Sequence, residues 1–295
     1  MKLQLNEIID LINKKFISKN ANILQLKRIE DNENYNVWLI INKDSKYILK
    51  ETSNNEIRNY KKFLSVLKEG VPSIYQTMTF NGKNYIVLEY IEGEDLCKCT
   101  HEKLVSALDA LISIQKITWE TDLFNDCFSS FDESLQERIK RGKYLNNKLL
   151  EEAYDKFIEK YQVLPKSLCH DDLLPFNIIS DKDKATLIDW EHCGFIPYPT
   201  SFARLIAHFE TEPKALFYMT KEDKDFAIKY YYDKLLKDKG ISYDEWLETL
   251  EYFLFYEYCE WIYVGNKYND TSGFYYKKYL PIAINQAKKI LKVEN

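Results

Sequence analysis

The chain has 295 residues and a net charge of −5, and its 41 lysines and arginines are interleaved with 46 aspartates and glutamates. This pattern argues against a nucleic-acid binder, which would usually carry a basic stripe, and the absence of an apolar run of roughly 18 residues argues against a membrane span. Because Met1–Lys19 lacks the pattern of a signal peptide, we expect a cytoplasmic protein. Its length is enough for a large core and two lobes.

Apolar periodicity in the first third of the chain predicts a helix with one apolar face, followed by several strands and a second helix. The helices are predicted within Met1–Lys19 and over Asn54–Lys68, the strands over Ile23–Ile29, Tyr35–Ile41 and Lys46–Glu51, and a hairpin over Ile74–Phe80 and Asn84–Tyr90. The Asn81-Gly82 pair between the hairpin strands favours a type I′ turn.

From Glu102 onward helical periodicity dominates, apart from a short β interlude over Ser167–Asp189. The further helices are predicted over Glu102–Ile117, Phe131–Gln162, Tyr198–Phe209, Lys221–Lys239, Asp244–Val264 and Tyr276–Leu291. The chain is therefore predicted to have an α+β fold with two lobes. A small, mostly antiparallel β lobe would span residues 1–91, and a larger, mainly helical lobe would span residues 92–295.

The most informative segment is a His-x-Asp motif within the β interlude. It joins His170 and Asp172 to Asn177, five residues later, and to Asp189 at the end of an apolar run. Phosphoryl transfer from ATP uses one carboxylate to orient the attacking hydroxyl, and an amide and a second carboxylate to hold Mg2+. The spacing selects Asp172 as the orienting base and Asn177 and Asp189 as metal ligands. It leaves the adjacent Asp171 as a solvated or capping residue.

An ordinary polar turn before a strand is the alternative interpretation of this motif. A match to His-x-Asp-x4-Asn alone should arise by chance in about one chain in a hundred of this length. The Leu-Ile-Asp run that ends 17 residues after Asp172 makes a chance match much less frequent. We expect His170 to brace the backbone of the loop, and Pro175 to stiffen it.

A lysine at a strand end in the β lobe is the candidate phosphate ligand. Lys50 ends the third predicted strand, and a glutamate from the following helix fixes such a lysine. Glu56 is the predicted partner, with Glu51 as a competitor, whereas Lys50 taken alone would be interpreted as a solvated edge lysine. The backbone at Glu89 and Ile91 is predicted to bind adenine, although a plain buried strand has the same pattern.

Together these residues resemble the aminoglycoside phosphotransferase and choline kinase superfamily, which shares the protein-kinase-like fold. The motifs Cys-His-x-Asp-Leu-x-Pro-x-Asn and Leu-Ile-Asp-Trp-Glu are typical of these small-molecule kinases, and the likeness is strongest over Leu168–Phe209. The resemblance implies a bilobal fold, ATP or in some members GTP as the donor, Mg2+, and transfer of the γ-phosphoryl group to a hydroxyl. Protein kinases instead tend to carry Asp-Phe-Gly and Ala-Pro-Glu segments, which this chain lacks.

The chain departs from the pattern of this superfamily in two places. The loop expected over the phosphates, Asp31–Asn36, contains no glycine, so its backbone amides approach phosphate less freely. Ser201 stands near the position where the family often has an Asp that supports the catalytic loop. The first departure supports an alternative function, a catalytically weak nucleotide-binding pseudokinase module, whereas the intact Lys50, Asp172 and Asp189 oppose it.

The resemblance also implies that acidic and aromatic residues of the helical lobe bind the acceptor. The candidates are Glu257, Glu260, Trp261 and Asp270. Carboxylates beside aromatic rings suit a cation, which favours a choline- or ethanolamine-like amino alcohol or an aminoglycoside. An aromatic core with a solvated glutamate face gives the same pattern. The sequence leaves open the acceptor, the phosphorylated hydroxyl, the choice between ATP and GTP, and the oligomeric state.

Overall fold

The computed structural model describes residues 2–12, 16–17, 21–28 and 32–293. The chain divides into two compact units. One comprises Met1–Ala110 with Pro175–His192, and the other comprises Leu111–Leu174 with Cys193–Asn295. The predicted lobe boundary after Ile91 stays a prediction. Ile29, the predicted end of the first strand, and Asp31, the predicted start of the phosphate loop, lie outside the described residues.

Strands and helices within the described residues give an α+β fold, as predicted. The strands are β1 Asn22–Lys27, β2 Asn34–Ile41, β3 Lys46–Thr52, β4 Ile74–Phe80, β5 Lys83–Glu89, β6 Glu94–Asp95, β7 Lys166–Cys169, β8 Ile178–Ser180, β9 Ala185–Leu187 and β10 Gly194–Pro197. The helices are α1 Lys2–Leu11, α2 Asn54–Lys62, α3 His101–Thr118, α4 Phe128–Gly142, α5 Lys148–Val163, α6 Pro199–Ala207, α7 Lys221–Tyr231, α8 Tyr243–Lys267 and α9 Phe274–Leu291. Within the described part of the chain, no helix is both long and apolar enough to cross a membrane.

The first unit is built on an antiparallel sheet with the strand order β1-β2-β3-β5-β4. Alternate residues of β2, β3 and β5 face one side of this sheet, where Trp38, Ile40 and Leu49 are buried against Ile8 and Ile12 of the N-terminal segment. Ile8 and Ile12, which belong to the predicted apolar face of the N-terminal segment, are therefore confirmed as core residues. Burial of such a cluster supplies most of the free energy that holds the sheet together.

The turn between β4 and β5 has the predicted conformation. Asn81 and Gly82 both have positive φ, 49° and 76°, as a type I′ turn requires of its two central residues. Glycine takes this conformation without strain, and asparagine tolerates it better than most residues. The turn fixes the register of the hairpin, in which Phe80 pairs with Lys83 and Met78 with Tyr85.

The second unit consists of helices around a two-stranded antiparallel ribbon of β7 and β10. Its core is unusually aromatic. The rings of Phe202 and Tyr231 lie 4.4 Å apart, and both pack on Trp246. Further along α8, the ring of Phe157 of α5 stacks on that of Tyr256 at 4.8 Å. Many of the 23 tyrosines therefore belong to the core rather than to a binding surface.

Several predicted helices are shorter or divided in the structure; the predicted helix Lys221–Lys239, for example, is α7, which ends at Tyr231. The predicted helix Phe131–Gln162 is two helices, α4 and α5, because Asn146 adopts a positive φ of 53° and Asn147 caps α5 by accepting from the Leu150 amide. Helix α2 ends at Lys62 instead of Lys68, and a short 3-10 turn follows at Leu64–Val66.

Candidate functional site

In the first unit, the ammonium group of Lys50 lies between two carboxylates. Lys50 is the fifth residue of β3, and its Nζ lies 2.8 Å from Glu56 of α2 and 2.7 Å from Asp189. The predicted pairing of Lys50 with Glu56 is therefore confirmed. The competing Glu51 instead accepts from Lys83 and Asn36.

The Glu56 side chain is fully buried, and its neighbours hold it in position for the contact with Lys50. Helix α2 begins at a Ser53 N-cap whose hydroxyl accepts from the Glu56 amide, so Glu56 lies in the first turn, where a negative charge interacts favourably with the helix dipole. The Thr52 hydroxyl donates to Glu56 Oε2 at 2.5 Å. Burial lowers the pKa of Lys50, but the carboxylates of Glu56 and Asp189 outweigh this and raise the pKa above its usual value. The lysine therefore stays charged at neutral pH.

We expect Glu56→Ala to lower the free energy of unfolding by about 2–3 kcal/mol, somewhat less than the loss for a fully buried pair, because the Lys50 ammonium loses a buried partner. Glu51→Ala is the matched control. It removes a carboxylate whose partner Lys83 is more than half exposed, so it should cost less than about 1 kcal/mol. Urea unfolding of both variants measures the difference, and equal losses would contradict the buried-pair interpretation.

Asn177 and Asp189 lie at the same end of the β8–β9 hairpin. Ile178 pairs with Leu187, and the Ile188 amide donates to the Asn177 carbonyl at 2.9 Å. Asp189 follows directly with a φ of 63°, a left-handed conformation that non-glycine residues adopt mainly where a structure demands it.

The segment after Asp189 is anchored by a residue that the sequence did not reveal. The Asn59 side chain, one turn beyond Glu56 on α2, donates to the carbonyls of Trp190 and Glu191 at 2.9 and 2.8 Å. Helix α2 therefore carries both the partner of Lys50 and the clamp on the segment that follows Asp189.

The donors at this hairpin fit a magnesium ion. A carboxylate and an amide are the hard oxygen ligands that Mg2+ prefers, and Mg2+ usually keeps several water or phosphate ligands. Among the described residues, no group of three or more His, Cys, Asp or Glu side chains could hold a metal.

In the second unit, the loop after β7 carries the two predicted catalytic residues, His170 and Asp172. The His170 side chain is buried, and the backbone amide of His170 donates to the Ser201 hydroxyl at 2.8 Å. The Asp172 amide donates to the His170 carbonyl at 2.8 Å. Ser201, which departs from the family pattern, therefore still supports the loop through its hydroxyl.

Arg204 of α6 holds the Asp172 side chain. Its Nε and Nη2 donate to Asp172 Oδ1 at 3.1 and 2.8 Å, and its Nη1 donates to Glu257 Oε2 at 2.9 Å. The motifs in the sequence do not single out Arg204, although its position carries a signal. Arg204 is the only charged residue of α6, and a lone arginine in a buried helix usually has a partner.

Glu257, predicted to bind an acceptor, is buried beside Arg204. Its side chain is only 3% exposed, and its Oε2 also lies 3.6 Å from His208. Burial alone would raise the pKa of Glu257, but Arg204 and His208 lower it below its usual value. Glu257 therefore stays ionised and serves first as the counter-ion that holds Arg204 against Asp172.

The buried side chain of His208 is expected to make the free energy of unfolding sensitive to mild acid. Burial lowers the pKa of His208, as do Arg204 and Lys278, and the pull of Glu257 in the opposite direction is smaller. The unfolded chain takes up a proton at this histidine near pH 6.5, whereas the folded protein does so only at lower pH. The free energy of unfolding must therefore fall as the pH drops through this window, by about 1.4 kcal/mol for a tenfold difference in proton affinity.

We expect His208→Gln to lose less stability than wild type between about pH 7.5 and 5.5, and thermal unfolding measures this. The matched control is the exposed His192→Gln, which should follow the wild-type curve. Glu257 affects stability in a separate pH range. Its lowered pKa stabilises the folded protein above the unfolded value of 4.5, and this contribution is lost only as the pH falls below that value. Parallel curves for wild type and His208→Gln would contradict the assignment.

Asp171 is neither solvated nor a cap, so that expectation was wrong. Its carboxylate accepts from Arg138 of α4 at 2.5 Å and is only 21% exposed, and its φ is 55°. The turn that places Asp172 points the neighbouring side chain toward α4, where a buried guanidinium receives it.

The remaining predicted acceptor residues lie on α8 and the loop after it. Glu260 pairs with Arg141, and burial raises the pKa of Glu260 although Arg141 partly opposes this. The Trp261 ring stacks on Tyr275 with 4.2 Å between centroids. Asp270 is exposed at the end of the loop, where its amide donates to the Gly265 carbonyl at 2.7 Å.

The predicted adenine-binding residues lie at the end of β5 and just after it. Glu89 pairs with Tyr47, and its amide and carboxylate bond to the carbonyl and amide of Ser73 at 2.9 and 3.0 Å. Ile91 follows two residues later and is half-buried. Their role toward a nucleotide stays a prediction.

A sequence model described as the phosphotransferase enzyme family matches residues 25–235 of the chain. A comparison with curated proteins found no match.

Three solved structures have the same fold with low sequence identity. A choline/ethanolamine kinase family protein from Mesorhizobium loti has a TM-score of 0.62 at 12% identity. The alignment covers 99% of this chain and 96% of that protein's chain. An amicoumacin kinase in complex with AMP-PNP, Ca2+ and Ami has a TM-score of 0.61 at 16% identity. The alignment covers 99% of this chain and 93% of the kinase chain. An aminoglycoside-3'-phosphotransferase of type VIII has a TM-score of 0.60 at 12% identity. The alignment covers 87% of this chain and 98% of the phosphotransferase chain.

Proposed function

Since the chain belongs to the phosphotransferase enzyme family, we propose that it transfers the γ-phosphoryl group of ATP to a hydroxyl of a small molecule, with Mg2+ on the phosphates. The observation that carries this proposal is the Lys50 ammonium, which lies 2.8 Å from Glu56 and 2.7 Å from Asp189. A strand lysine fixed by a glutamate of the next helix, beside a metal-binding aspartate, is the kinase arrangement for binding ATP phosphates.

The residues of the first unit bind the nucleotide in this proposal. Lys50 contacts the α- and β-phosphates while Glu56 holds it in place, and the backbone at Glu89 and Ile91 receives the adenine. ATP is supported by the amicoumacin kinase of similar fold, which was solved with AMP-PNP. Because Glu56 is fully buried and its helix is anchored through Asn59, Lys50 needs little reorganisation to receive a phosphate.

Asn177 and Asp189 would hold the metal. A bound Mg2+ would supply the neutralisation of the charge that develops on the phosphates during transfer. Asp189 already contacts Lys50 at 2.7 Å, which places one carboxylate next to the group that binds the neighbouring phosphates. The hairpin contact between Ile188 and Asn177 keeps the two donors at one end of β8 and β9.

Asp172 orients the acceptor hydroxyl. The acceptor oxygen forms a bond to the γ-phosphorus while the bond to the bridging oxygen of the leaving ADP breaks, and the hydroxyl proton passes to Asp172. Arg204 holds this carboxylate through Oδ1, and His170 supports the turn that carries it. The transition state of phosphoryl transfer is loose, so orientation matters more than a strong base.

The acceptor is proposed to be a cationic, hydroxylated small molecule with a single positive centre. Glu257 and Glu260 are already paired with Arg204 and Arg141, so they offer little charge to a second cation. Asp270 and the face of the Trp261–Tyr275 stack remain, and one ammonium group gains from both a carboxylate and an aromatic ring. This favours a choline- or ethanolamine-like amino alcohol over a polycationic aminoglycoside.

The proposal is tested by ADP release from the purified protein with Mg2+ and ATP or GTP. The acceptor panel comprises choline, ethanolamine, aminoglycosides and sugars, and mass spectrometry of the product identifies the phosphorylated compound. We expect acceptor-dependent ADP release, greatest with the amino alcohols. Tight binding of AMP-PNP with no turnover on any acceptor would instead indicate the nucleotide-binding pseudokinase module.

A further inference from the structure

Arg138 is held in position by contacts on several sides in addition to its contact with the catalytic loop. Arg138 is only 3% exposed, and its guanidinium carbon lies 4.8 Å from the ring centroids of both Tyr161 and Tyr256. The Tyr154 hydroxyl donates to the Arg138 backbone carbonyl at 3.0 Å. Cation–π contacts of a desolvated guanidinium are strong and directional, so Arg138 presents its Nη2 at one fixed place.

That place is the carboxylate of Asp171, which lies at the centre of a strained turn. The Asp172 amide donates to the His170 carbonyl at 2.8 Å, which makes a three-residue turn around Asp171. Asp171 has a φ of 55°, and a three-residue turn with positive φ at its centre is rare and strained. Such backbone persists only when surrounding contacts hold it.

We propose that Arg138 is a positioning residue for phosphoryl transfer, which holds the strained turn at Asp171 and thereby aims the Asp172 carboxylate. This inference rests on the proposed function, because it assumes that Asp172 orients the acceptor hydroxyl. The contact at 2.5 Å between Arg138 Nη2 and Asp171 Oδ1 ties the centre of the turn to α4. Arg204 independently holds the Asp172 side chain, so the backbone and the side chain each have their own anchor.

A purely structural ion pair would show the same contact, so the test must separate strain from packing. Glycine adopts positive φ without strain, whereas alanine does not. If Arg138 serves to hold the backbone of Asp171, glycine at position 171 should make Arg138 dispensable. Alanine at position 171 should not.

The experiment is a set of four variants compared with wild type. Arg138→Met keeps the apolar stem between the two tyrosine rings but removes the charge, and it should lower kcat by about tenfold, the cost of a left-handed conformation at a non-glycine residue. KM for ATP should not change. The double variant Asp171→Gly with Arg138→Met should recover most of the lost kcat, whereas Asp171→Ala with Arg138→Met should not. Lys140→Met, a comparable charge loss at an exposed position of α4, is the control.

A second readout does not depend on turnover. Amide hydrogen exchange followed by NMR reports on the bond from the Asp172 amide to the His170 carbonyl. Protection should fall in Arg138→Met and return in the double variant with glycine. Unchanged kcat and unchanged protection in Arg138→Met would overturn the inference, as would equal kcat in the glycine and alanine double variants. If wild type shows no turnover on any acceptor, the proposed function fails, and the exchange data still decide whether Arg138 holds the turn.

Discussion

Replacing Asp172 with Asn is expected to lower kcat by about a thousandfold, within the range for a positioned acid–base group. Arg204 holds Asp172 Oδ1 through two nitrogens, at 3.1 and 2.8 Å. The asparagine amide fills the same volume and can still accept from Arg204, so the loop should keep its conformation. It cannot take the hydroxyl proton, and the loss should therefore fall on kcat.

Nucleotide affinity should not change in Asp172→Asn, because Lys50, Asn177 and Asp189 are intact. Steady-state ADP release gives kcat, and calorimetry with AMP-PNP and Mg2+ gives the affinity. Asp225→Asn is the matched control, since it removes an exposed carboxylate of α7 that pairs with the exposed Lys221. Wild-type turnover in Asp172→Asn would refute its role, even if the acceptor were correctly identified.

Asp189→Ala should abolish both turnover and the strengthening of nucleotide binding by Mg2+. The substitution removes a proposed metal ligand and the partner of Lys50 at 2.7 Å. Removing a residue that only hydrogen-bonds to a metal ligand lowers affinity or activity roughly 10–100-fold. Removing a ligand itself should lower them further. Lys50 keeps Glu56, so binding of the nucleotide without metal should persist.

Calorimetry with AMP-PNP, in Mg2+ and in EDTA, separates these two effects of Asp189→Ala. The control is Asp183→Ala, which lies in the turn at the opposite end of the same β8–β9 hairpin, where its amide donates to Asp181. Asp183→Ala should retain the difference between Mg2+ and EDTA. A difference of wild-type size in Asp189→Ala would show that the metal ligands lie elsewhere.

Local spacing in the sequence predicted the residues that lie close together in the chain or in one hairpin. The pairing of Lys50 with Glu56 follows from a strand end and the first turn of the next helix, six residues later. The Asn81-Gly82 turn likewise follows from two residues that accept positive φ. In both cases a short segment and one structural rule determine the contact.

Long-range partners of the candidate site could not be predicted in this way. Arg204 reaches Asp172 across 32 positions and Glu257 across 53, and a periodic helix pattern does not say which charge on one helix meets which charge on another. The sequence pattern therefore makes Glu257 a candidate acceptor ligand without revealing that it pairs with Arg204. Arg138 lies among many charged residues of α4, so its contact with Asp171 left no signal at all.

The central claim is that Asp172, Asn177 and Asp189 act together on a magnesium-bound triphosphate. A crystal structure with AMP-PNP, Mg2+ and an acceptor found in the screen tests it most directly. We predict Asn177 and Asp189 as metal ligands at about 2.0–2.1 Å, and Asp172 in hydrogen-bond contact with the acceptor hydroxyl. A structure in which the nucleotide is bound but these three side chains point away from it would contradict the claim.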